Sequence, residues 1–309
     1  MYQSEPVLYR THPFLRLVVL LALLIVSMLV TAFIGILIGL PFFGSELIES
    51  LKGFSLLNQP DQIGMLKYLQ IVNQIGLFII PPILFALMVS RSIKGYLRMD
   101  RRPHSMTILA GSIMILFSLP FLHWLSELNE AIRLPEFMGS VERWFQEYES
   151  RARELTEAFV DVHTWGGLTV NLLMIALLPA FGEEMLFRGV LLRGMNDWTK
   201  NIHASVLITA FLFSALHLQF YGFLPRFVLG VLLGYMLVWT GSLWVPIIMH
   251  FVNNAMAVLI VFFMNRSGKE VEMEEIGSSS NIFIIFFSFL LMLSLTFFIY
   301  ANEERQRIK

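Results

Sequence analysis

Residues 179–188 read Pro-Ala-Phe-Gly-Glu-Glu-Met-Leu-Phe-Arg and place two adjacent carboxylates, Glu183 and Glu184, in an otherwise apolar part of the chain. A carboxylate at membrane depth costs roughly 2.5–3.5 kcal/mol on insertion scales, so it requires a partner or a function. Arg188 lies four residues after Glu184 and therefore on the same face of a helix. Glu183 points about 100° away around that helix and has no such partner nearby in the sequence. A functional hypothesis therefore has to explain Glu183.

The composition around this stretch is that of a membrane protein. Of the 309 residues, 56% are hydrophobic and 15% are charged, whereas soluble domains carry about 25% charged residues. A span needs about 20 apolar residues to cross about 30 Å of hydrocarbon, and eight segments meet that length: 14–43, 66–90, 106–126, 166–195, 202–220, 224–240, 242–264 and 281–301. We predict an all-α polytopic membrane protein with about eight transmembrane helices in a single membrane domain, 1–309.

Charge and cysteine content narrow the function further. The chain has no cysteine, which excludes disulfides, thiolate catalysis and cysteine-ligated metals. The net charge of −1 gives no sign of a nucleic-acid partner, and none is expected. The expected partners are the lipid bilayer and a peptide or protein substrate, and the oligomeric state is left open.

The loop between the second and third spans sets the predicted orientation. It carries five basic residues against the single Asp100: Arg91, Lys94, Arg98, Arg101 and Arg102. Short loops rich in Lys and Arg stay in the cytoplasm. An even number of spans then places both termini in the cytoplasm, and the pattern suits a bacterial inner membrane.

Segment 127–161 is predicted to be an extramembrane amphipathic helix between the third and fourth spans. Apolar residues recur there at three- and four-residue spacing from Leu134 to Phe159, and the other face is mainly acidic. Such a helix lies along the membrane interface or folds over the outer end of the bundle. A structural cover is the favoured interpretation, and a lid over an active site is the alternative.

Three further polar residues lie inside later spans: His217 in the fifth, and His250 and Asn254 one helical turn apart in the seventh. With a rise of 1.5 Å per residue, these three and Glu183 fall at similar depths in the bundle. A carboxylate and an imidazole can share the deprotonation of a water molecule. An imidazole and a carboxamide can donate hydrogen bonds to the oxyanion of a tetrahedral intermediate. Because no serine stands in a Gly-x-Ser-x-Gly setting, the residue types favour water-mediated acyl hydrolysis over a covalent acyl-enzyme.

Other interpretations stay open at this point. Glu183, His217 and His250 have the residue types of a three-ligand zinc site with water in the fourth position, although no His-Glu-x-x-His helix is present. No cofactor is favoured, and zinc is the alternative. A transporter or channel would use a buried Glu/His cluster as a proton relay, and a catalytically silent immunity or scaffold protein would keep only the fold.

Three short motifs occur in order on successive hydrophobic segments: Glu183-Glu184-xxx-Arg188, Phe213-xxx-His217 and His250-xxx-Asn254. This arrangement resembles the CPBP (Abi) family, which includes the type II CAAX prenyl endopeptidases and bacteriocin-processing or immunity proteins. The resemblance covers residues 168–259, the predicted catalytic core.

The resemblance implies an intramembrane endopeptidase of eight helices that cleaves a membrane-associated or prenylated substrate. By analogy, Glu183 activates the water with help from His217, and His250 and Asn254 stabilise the oxyanion. Glu184 and Arg188 are the implied supporting residues. Family members are often labelled metalloproteases; the glutamate-dependent, metal-free mechanism is the one that we favour. The resemblance does not supply the substrate.

Overall fold

The computed structural model describes residues 5–49, 62–269 and 273–308, and these ranges contain helices and no β-strand. The predicted all-α membrane class is confirmed. The main helices are α1 (Pro13–Phe43), α2 (Ile63–Val89), α3 (Ser105–Glu130), α4 (Gly139–Val160), α5 (Trp165–Thr199), α6 (Ile202–Ala215), α7 (Phe223–Thr240), α8 (Trp244–Arg266) and α9 (Ile282–Ile308). Single helical turns lie at Glu46–Glu49, Ile93–Tyr96, Glu136–Met138 and Met273–Glu275. Within the described ranges, the seven helices other than α4 and α6 are long and apolar enough to cross a membrane.

The predicted span 202–220 is not one continuous helix. Helix α6 has 14 residues, or about 21 Å, which is less than the roughly 30 Å of hydrocarbon. It ends at Ala215, where Ser214 Oγ donates to the Phe223 carbonyl (2.6 Å) and the backbone then turns through a left-handed Leu218 (φ 55°). His217 therefore lies in a turn after α6, and not inside a span as the sequence predicted.

Helix α6 nevertheless carries the chain back along the bundle. It runs antiparallel to α7, since His203 contacts Tyr235 (2.8 Å) near one end and Ser214 contacts Phe223 near the other. The two helices approach closely at Gly230, where an added Cβ would lie 3.1 Å from that of Ala210. The path predicted for the fifth span is thus retained, although the helix is shorter than predicted.

Helix α5 is the central helix of the bundle. In its apolar window 61% of the residues are buried, compared with 11% in α1, which presents its apolar side chains outwards. Two π-helical turns, Leu172–Leu177 and Met185–Leu191, flank the α-helical segment Leu178–Glu184. A third, Ile75–Ile79, interrupts α2. Such turns are rare in proteins as a whole, and those that occur are often found at functional sites. Proline inside a helix distorts the turn before it, and Pro179 directly follows the π-helical turn Leu172–Leu177 and Leu178.

Gly182 allows α2 and α5 to touch beside the two carboxylates. A Cβ at this position would lie 2.7 Å from the Cβ of Phe78 and 2.9 Å from the side chain of Ile79, both in the π-helical turn of α2. Any side chain here would push the two helices apart. Glycine at 182 therefore fixes how deeply the segment that carries Glu183 is set into the bundle.

Helix α4 is the predicted amphipathic helix, and it packs over the turn that follows His217. Its Phe145 ring lies 5.3 Å from the ring of Phe220. Gln146 Nε2 donates to the Tyr221 hydroxyl (3.1 Å), and Glu149 Oε2 accepts from the Tyr221 backbone N–H (3.2 Å). These contacts agree with a structural cover, and the position of α4 relative to the membrane remains a prediction.

A buried lysine fixes the other end of α4. Lys67 Nζ, on α2, donates to the Phe159 carbonyl and to Asn171 Oδ1, both at 2.8 Å. Asn171 Nδ2 donates to the same carbonyl at 2.8 Å. The last turn of α4 is therefore joined to α2 and to the start of α5.

Several chain segments meet at one end of the bundle. Arg16 at the start of α1 pairs with Asp197 at the end of α5 (3.3 Å), and Arg193 donates to the Tyr96 carbonyl in the loop after α2 (3.0 Å). Arg307, near the end of α9, donates to the Val238 carbonyl of α7 (3.0 Å). The loop predicted to be cytoplasmic thus lies at the same end as the start of α1 and the end of α9. Which side of the membrane this end faces remains a prediction.

Candidate active site

Glu184 and Arg188 form the ion pair that their spacing predicts. Arg188 Nη1 lies 2.6 Å from Glu184 Oε1, and the two side chains are 2% and 0% exposed. The second guanidinium nitrogen donates to the Gly230 carbonyl of α7 (3.1 Å). The guanidinium also lies over the Phe213 ring, 4.6 Å from its centroid. Arg188 is therefore held on three sides and joins α5 to α6 and α7.

His250 lies between the two carboxylates. Its Nδ1 is 2.9 Å from Glu184 Oε1, and its Nε2 is 3.9 Å from Glu183 Oε2. An ionised carboxylate can only accept, so this contact places a proton on Nδ1. The 3.9 Å separation is too long for a direct hydrogen bond. Glu184 thus orients the imidazole so that its other nitrogen faces Glu183.

The two adjacent carboxylates occupy different environments. The Glu184 side chain is fully buried, whereas that of Glu183 is 12% exposed. Glu184 Oε2 is buried and has no hydrogen-bond partner among the described residues; buried polar atoms of this kind are commonly satisfied by ordered water. Glu184 can therefore hold its neighbours in place, while Glu183 can exchange a proton with a molecule that enters the site.

His217 approaches this cluster through Phe213. Its Nδ1 is 2.7 Å from the Phe213 carbonyl, which can only accept, so in the neutral ring Nε2 is the unprotonated nitrogen. The Phe213 ring lies 5.1 Å from the His217 ring and 6.0 Å from that of His250. In the part of the chain that the structure describes, no hydrogen bond joins His217 to Glu183 or His250. Leu218 next to it has a φ of 55°, a conformation that costs about 1–3 kcal/mol and clusters at functional sites.

Asn254 is held in a fixed orientation one turn after His250. Its Nδ2 donates to the Ile175 carbonyl in the first π-helical turn of α5 (3.1 Å), and its Oδ1 accepts from Asn253 Nδ2 (3.0 Å). A carboxamide nitrogen carries two hydrogens, so one N–H of Asn254 remains for another acceptor. Glu183, His217 and Asn254 are all half-buried.

Phe213 is the contact residue that sequence reasoning passed over. Besides Arg188 and both histidines, its ring packs at 5.2 Å against that of Phe187. In the sequence it is only the first residue of the motif that ends at His217. Its spacing of four residues from His217 was the available signal, because residues four apart share a helix face.

The described residues contain no group of three His, Cys, Asp or Glu placed to hold a metal ion. The three side chains that the zinc alternative requires, Glu183, His217 and His250, are thus not gathered into a ligand set. As placed in the described residues, these side chains do not form the zinc site of that alternative.

Comparison with known proteins points to the same region. Residues 165–256, less than a third of the chain, match the model of a family described as "Type II CAAX prenyl endopeptidase Rce1-like". This segment contains the six predicted site residues, Glu183, Glu184, Arg188, His217, His250 and Asn254. The predicted resemblance to CPBP proteins is confirmed over it. A curated relative, "Uncharacterized protein YpbD" of Bacillus subtilis (strain 168), is 37% identical over 89 residues, which are 28% of this chain and 42% of the relative. The chain therefore covers less than half of that relative. No solved structure matches the chain.

Proposed function

We propose that this protein is an intramembrane endopeptidase that hydrolyses a peptide bond of a membrane-associated or lipidated substrate with a water activated by Glu183. The observation that carries the proposal is the contrast between the adjacent carboxylates. Glu184 is fully buried and bound to Arg188 and His250, whereas the Glu183 side chain is 12% exposed and faces His250 Nε2. The match of residues 165–256 to an endopeptidase family supports it. We place the activity in a single membrane domain with a core at 168–259, in a bacterial inner membrane with both termini cytoplasmic.

In this proposal Glu183 is the general base. A water bound to Glu183 Oε2 lies next to His250 Nε2, since those two atoms are 3.9 Å apart, and Nε2–H is left for the oxyanion that the attack creates. Glu183 takes the proton as the water oxygen attacks the scissile carbonyl, a contribution of about 10²–10⁴ in rate. It gives this proton to the amide nitrogen as the tetrahedral intermediate collapses, the C–N bond breaks and the amine leaves. His217, whose Nδ1 is engaged by the Phe213 carbonyl, assists through its Nε2.

His250 and Asn254 stabilise the oxyanion. In this proposal His250 carries a proton on both nitrogens, with Nδ1–H bound to Glu184 and Nε2–H available as a donor. Nε2–H of that imidazolium and the remaining N–H of Asn254 are the two donors. Losing one such donor costs about 10²–10³ in rate. Glu184 and Arg188 act as positioning residues, since Glu184 fixes the orientation of the imidazole (2.9 Å).

The test compares peptide termini in membranes that contain the wild-type protein or Glu183→Gln. Glutamine keeps the size of Glu183 but cannot accept the proton. We expect the wild type to generate substrate termini that are absent with Glu183→Gln and with His217→Ala. Glu147→Gln, an exposed glutamate on α4, is the matched control and should generate the wild-type termini.

Both active-site variants must be recovered from the membrane as folded, monodisperse protein for the comparison to count. Identical termini from folded Glu183→Gln and wild type would reject the endopeptidase. That outcome is also the one expected of a proton-coupled transporter or of a silent scaffold.

A further inference from the structure

An open cavity of about 610 Å³ lies at the end of the bundle where the loop after α2 meets the ends of α5, α7 and α9. Four arginines from three separate chain segments line it: Arg98, Arg101, Arg193 and Arg307. None of the proposed catalytic residues lies in its wall. It is therefore a second site, distinct from the cluster around Glu183.

The wall of this arginine cavity carries an excess of positive charge. Its acidic residues are Asp100 and Asp197, and Asp197 is already paired with a fifth arginine, Arg16 (3.3 Å). Burial, and then the like charges of Arg193, Arg101 and Arg307, lower the pKa of the Arg98 guanidinium. The arginines repel one another, and a bound anion would offset this unfavourable interaction.

Two of the four guanidinium groups are already held by the protein. Arg193 donates to the Tyr96 carbonyl (3.0 Å) and stacks over the Tyr96 ring at 4.5 Å. Arg307 donates to the Val238 carbonyl and pairs with Glu304 (2.9 Å). Within the described ranges, by contrast, the side chains of Arg98 and Arg101 make no hydrogen bond or ion pair. Both are free to contact a ligand.

The backbone behind Arg98 and Arg101 is fixed to the start of α8. The Arg98 carbonyl accepts from the Leu243 N–H (3.0 Å), and the Arg101 carbonyl accepts from Ser242 Oγ (2.7 Å). Arg98 itself has a φ of 56°, which costs a residue other than glycine about 1–2 kcal/mol. A Cβ at Gly241 would lie 2.6 Å from Arg101 Nη1. The loop is thus held in a strained conformation that keeps two unpartnered guanidinium groups at the cavity.

Orientation in the membrane does not by itself account for this arrangement. The positive-inside rule explains why the loop after α2 is basic, but Arg102 in the same loop does not line the cavity. Arg193 and Arg307 come from the ends of helices that are far apart in the sequence. Their convergence with Arg98 and Arg101 is a property of the fold.

We propose that the arginine cavity binds an anion that carries phosphate, either the headgroup of an anionic phospholipid or a soluble diphosphate. The planar guanidinium fork matches phosphate oxygens in a bidentate manner. The volume falls in the range of roughly 300–1,000 Å³ that is usual for small-molecule sites. The proposal does not depend on the endopeptidase, and its test measures no peptide cleavage.

The experiment uses the full chain in lipid nanodiscs and follows its thermal unfolding. In the lipid arm, phosphatidylcholine discs are compared with discs that also contain phosphatidylglycerol. In the soluble arm, inorganic pyrophosphate is titrated into phosphatidylcholine discs. We expect the wild type to be stabilised in at least one arm. Replacing Arg98 or Arg101 by Gln should weaken the response by about tenfold or more each, since charge-assisted hydrogen bonds are lost.

Arg102→Gln is the matched control, because it removes the same charge from the same loop outside the cavity. It should keep the wild-type response, and Arg98→Gln/Arg101→Gln should lose it. Without the anion, that double variant should melt at or above the wild-type temperature, since repulsion is relieved and no side-chain hydrogen bond or ion pair is lost; the single variants serve if it does not fold. Stabilisation by phosphatidylglycerol alone identifies a lipid headgroup, and stabilisation by pyrophosphate a soluble ligand. No stabilisation in either arm, or an equal response of the double variant and Arg102→Gln, overturns the proposal.

Discussion

Replacing Arg188 by Met tests the electrostatic core of the candidate site. The variant keeps much of the apolar volume of the side chain but removes the guanidinium that lies 2.6 Å from Glu184. Because the two side chains are 2% and 0% exposed, water cannot compensate the remaining carboxylate. Breaking a buried pair in this way costs about 3–5 kcal/mol. The Gly230 carbonyl also loses its donor. We expect a loss of stability at the upper end of that range.

The double variant Glu184→Gln/Arg188→Met separates the charge from the packing. It also removes the carboxylate that Arg188→Met leaves buried without its ion-pair partner, so it should be clearly more stable than Arg188→Met alone. The expected difference is about 0.5–3 kcal/mol, the usual interaction energy between contacting residues. The assay is unfolding in mixed detergent micelles followed by tryptophan fluorescence. Arg10→Met is the exposed control, since Arg10 and Glu5 are 79% and 54% exposed and such pairs contribute about 0–1 kcal/mol. An Arg188→Met or Arg188→Ala protein that is as stable as the wild type but inactive would refute the positioning role.

Three further predictions concern helix α4 and the dependence of cleavage on metal. Burial raises the pKa of the Glu149 carboxyl above its ordinary value of 4.5, although the Tyr221 N–H and the charges of Arg226 and Arg153 lower it in part. The stability of the wild type should therefore fall as the pH rises from 4.5 through the raised pKa of the folded protein. Glu149→Gln should remove this part of the pH profile, and superimposable profiles of the two proteins would contradict the prediction. Lys67→Met leaves two buried acceptors without their lysine donor, so it should cost about 1–3 kcal/mol and expose α4 to proteolysis, and unchanged proteolysis would argue against the anchor. Cleavage should survive a strong chelator; inhibition that added zinc reverses would favour the metal alternative.

Much of this fold can be predicted from the sequence, because the thickness of the bilayer fixes the length of each transmembrane helix. Because a span must cover a fixed hydrocarbon thickness, apolar length alone predicted 14–43 and 224–240, and the helices are Pro13–Phe43 and Phe223–Thr240. The pair of Glu184 and Arg188 was equally predictable, since it depends only on local helical spacing.

What the sequence missed depends on contacts between distant segments. Helix α6 ends at Ala215, where Ser214 Oγ donates to the Phe223 carbonyl, a contact that hydrophobicity does not predict. The residues of the π-helical turn Leu172–Leu177 are all apolar, so the sequence does not distinguish this turn from an ordinary α-helix. That His250 bonds Glu184 and only faces Glu183 follows from the packing of α8 against α5.

The arginine cavity illustrates the same limit. From the sequence, Arg98 and Arg101 indicate only the orientation of the loop, because a count of basic residues in a loop carries no information on what else approaches it. Arg193 and Arg307 join them through the packing of α5 and α9.

The most direct measurement of the central claim is the cleavage rate of the substrate identified from the peptide termini, with purified wild type, Glu183→Gln and Glu147→Gln at equal folded concentration. We expect Glu183→Gln to lose about 10²–10⁴ in rate with unchanged thermal stability, and Glu147→Gln to match the wild type. A folded Glu183→Gln protein that cleaves at the wild-type rate would show that Glu183 does not activate the water.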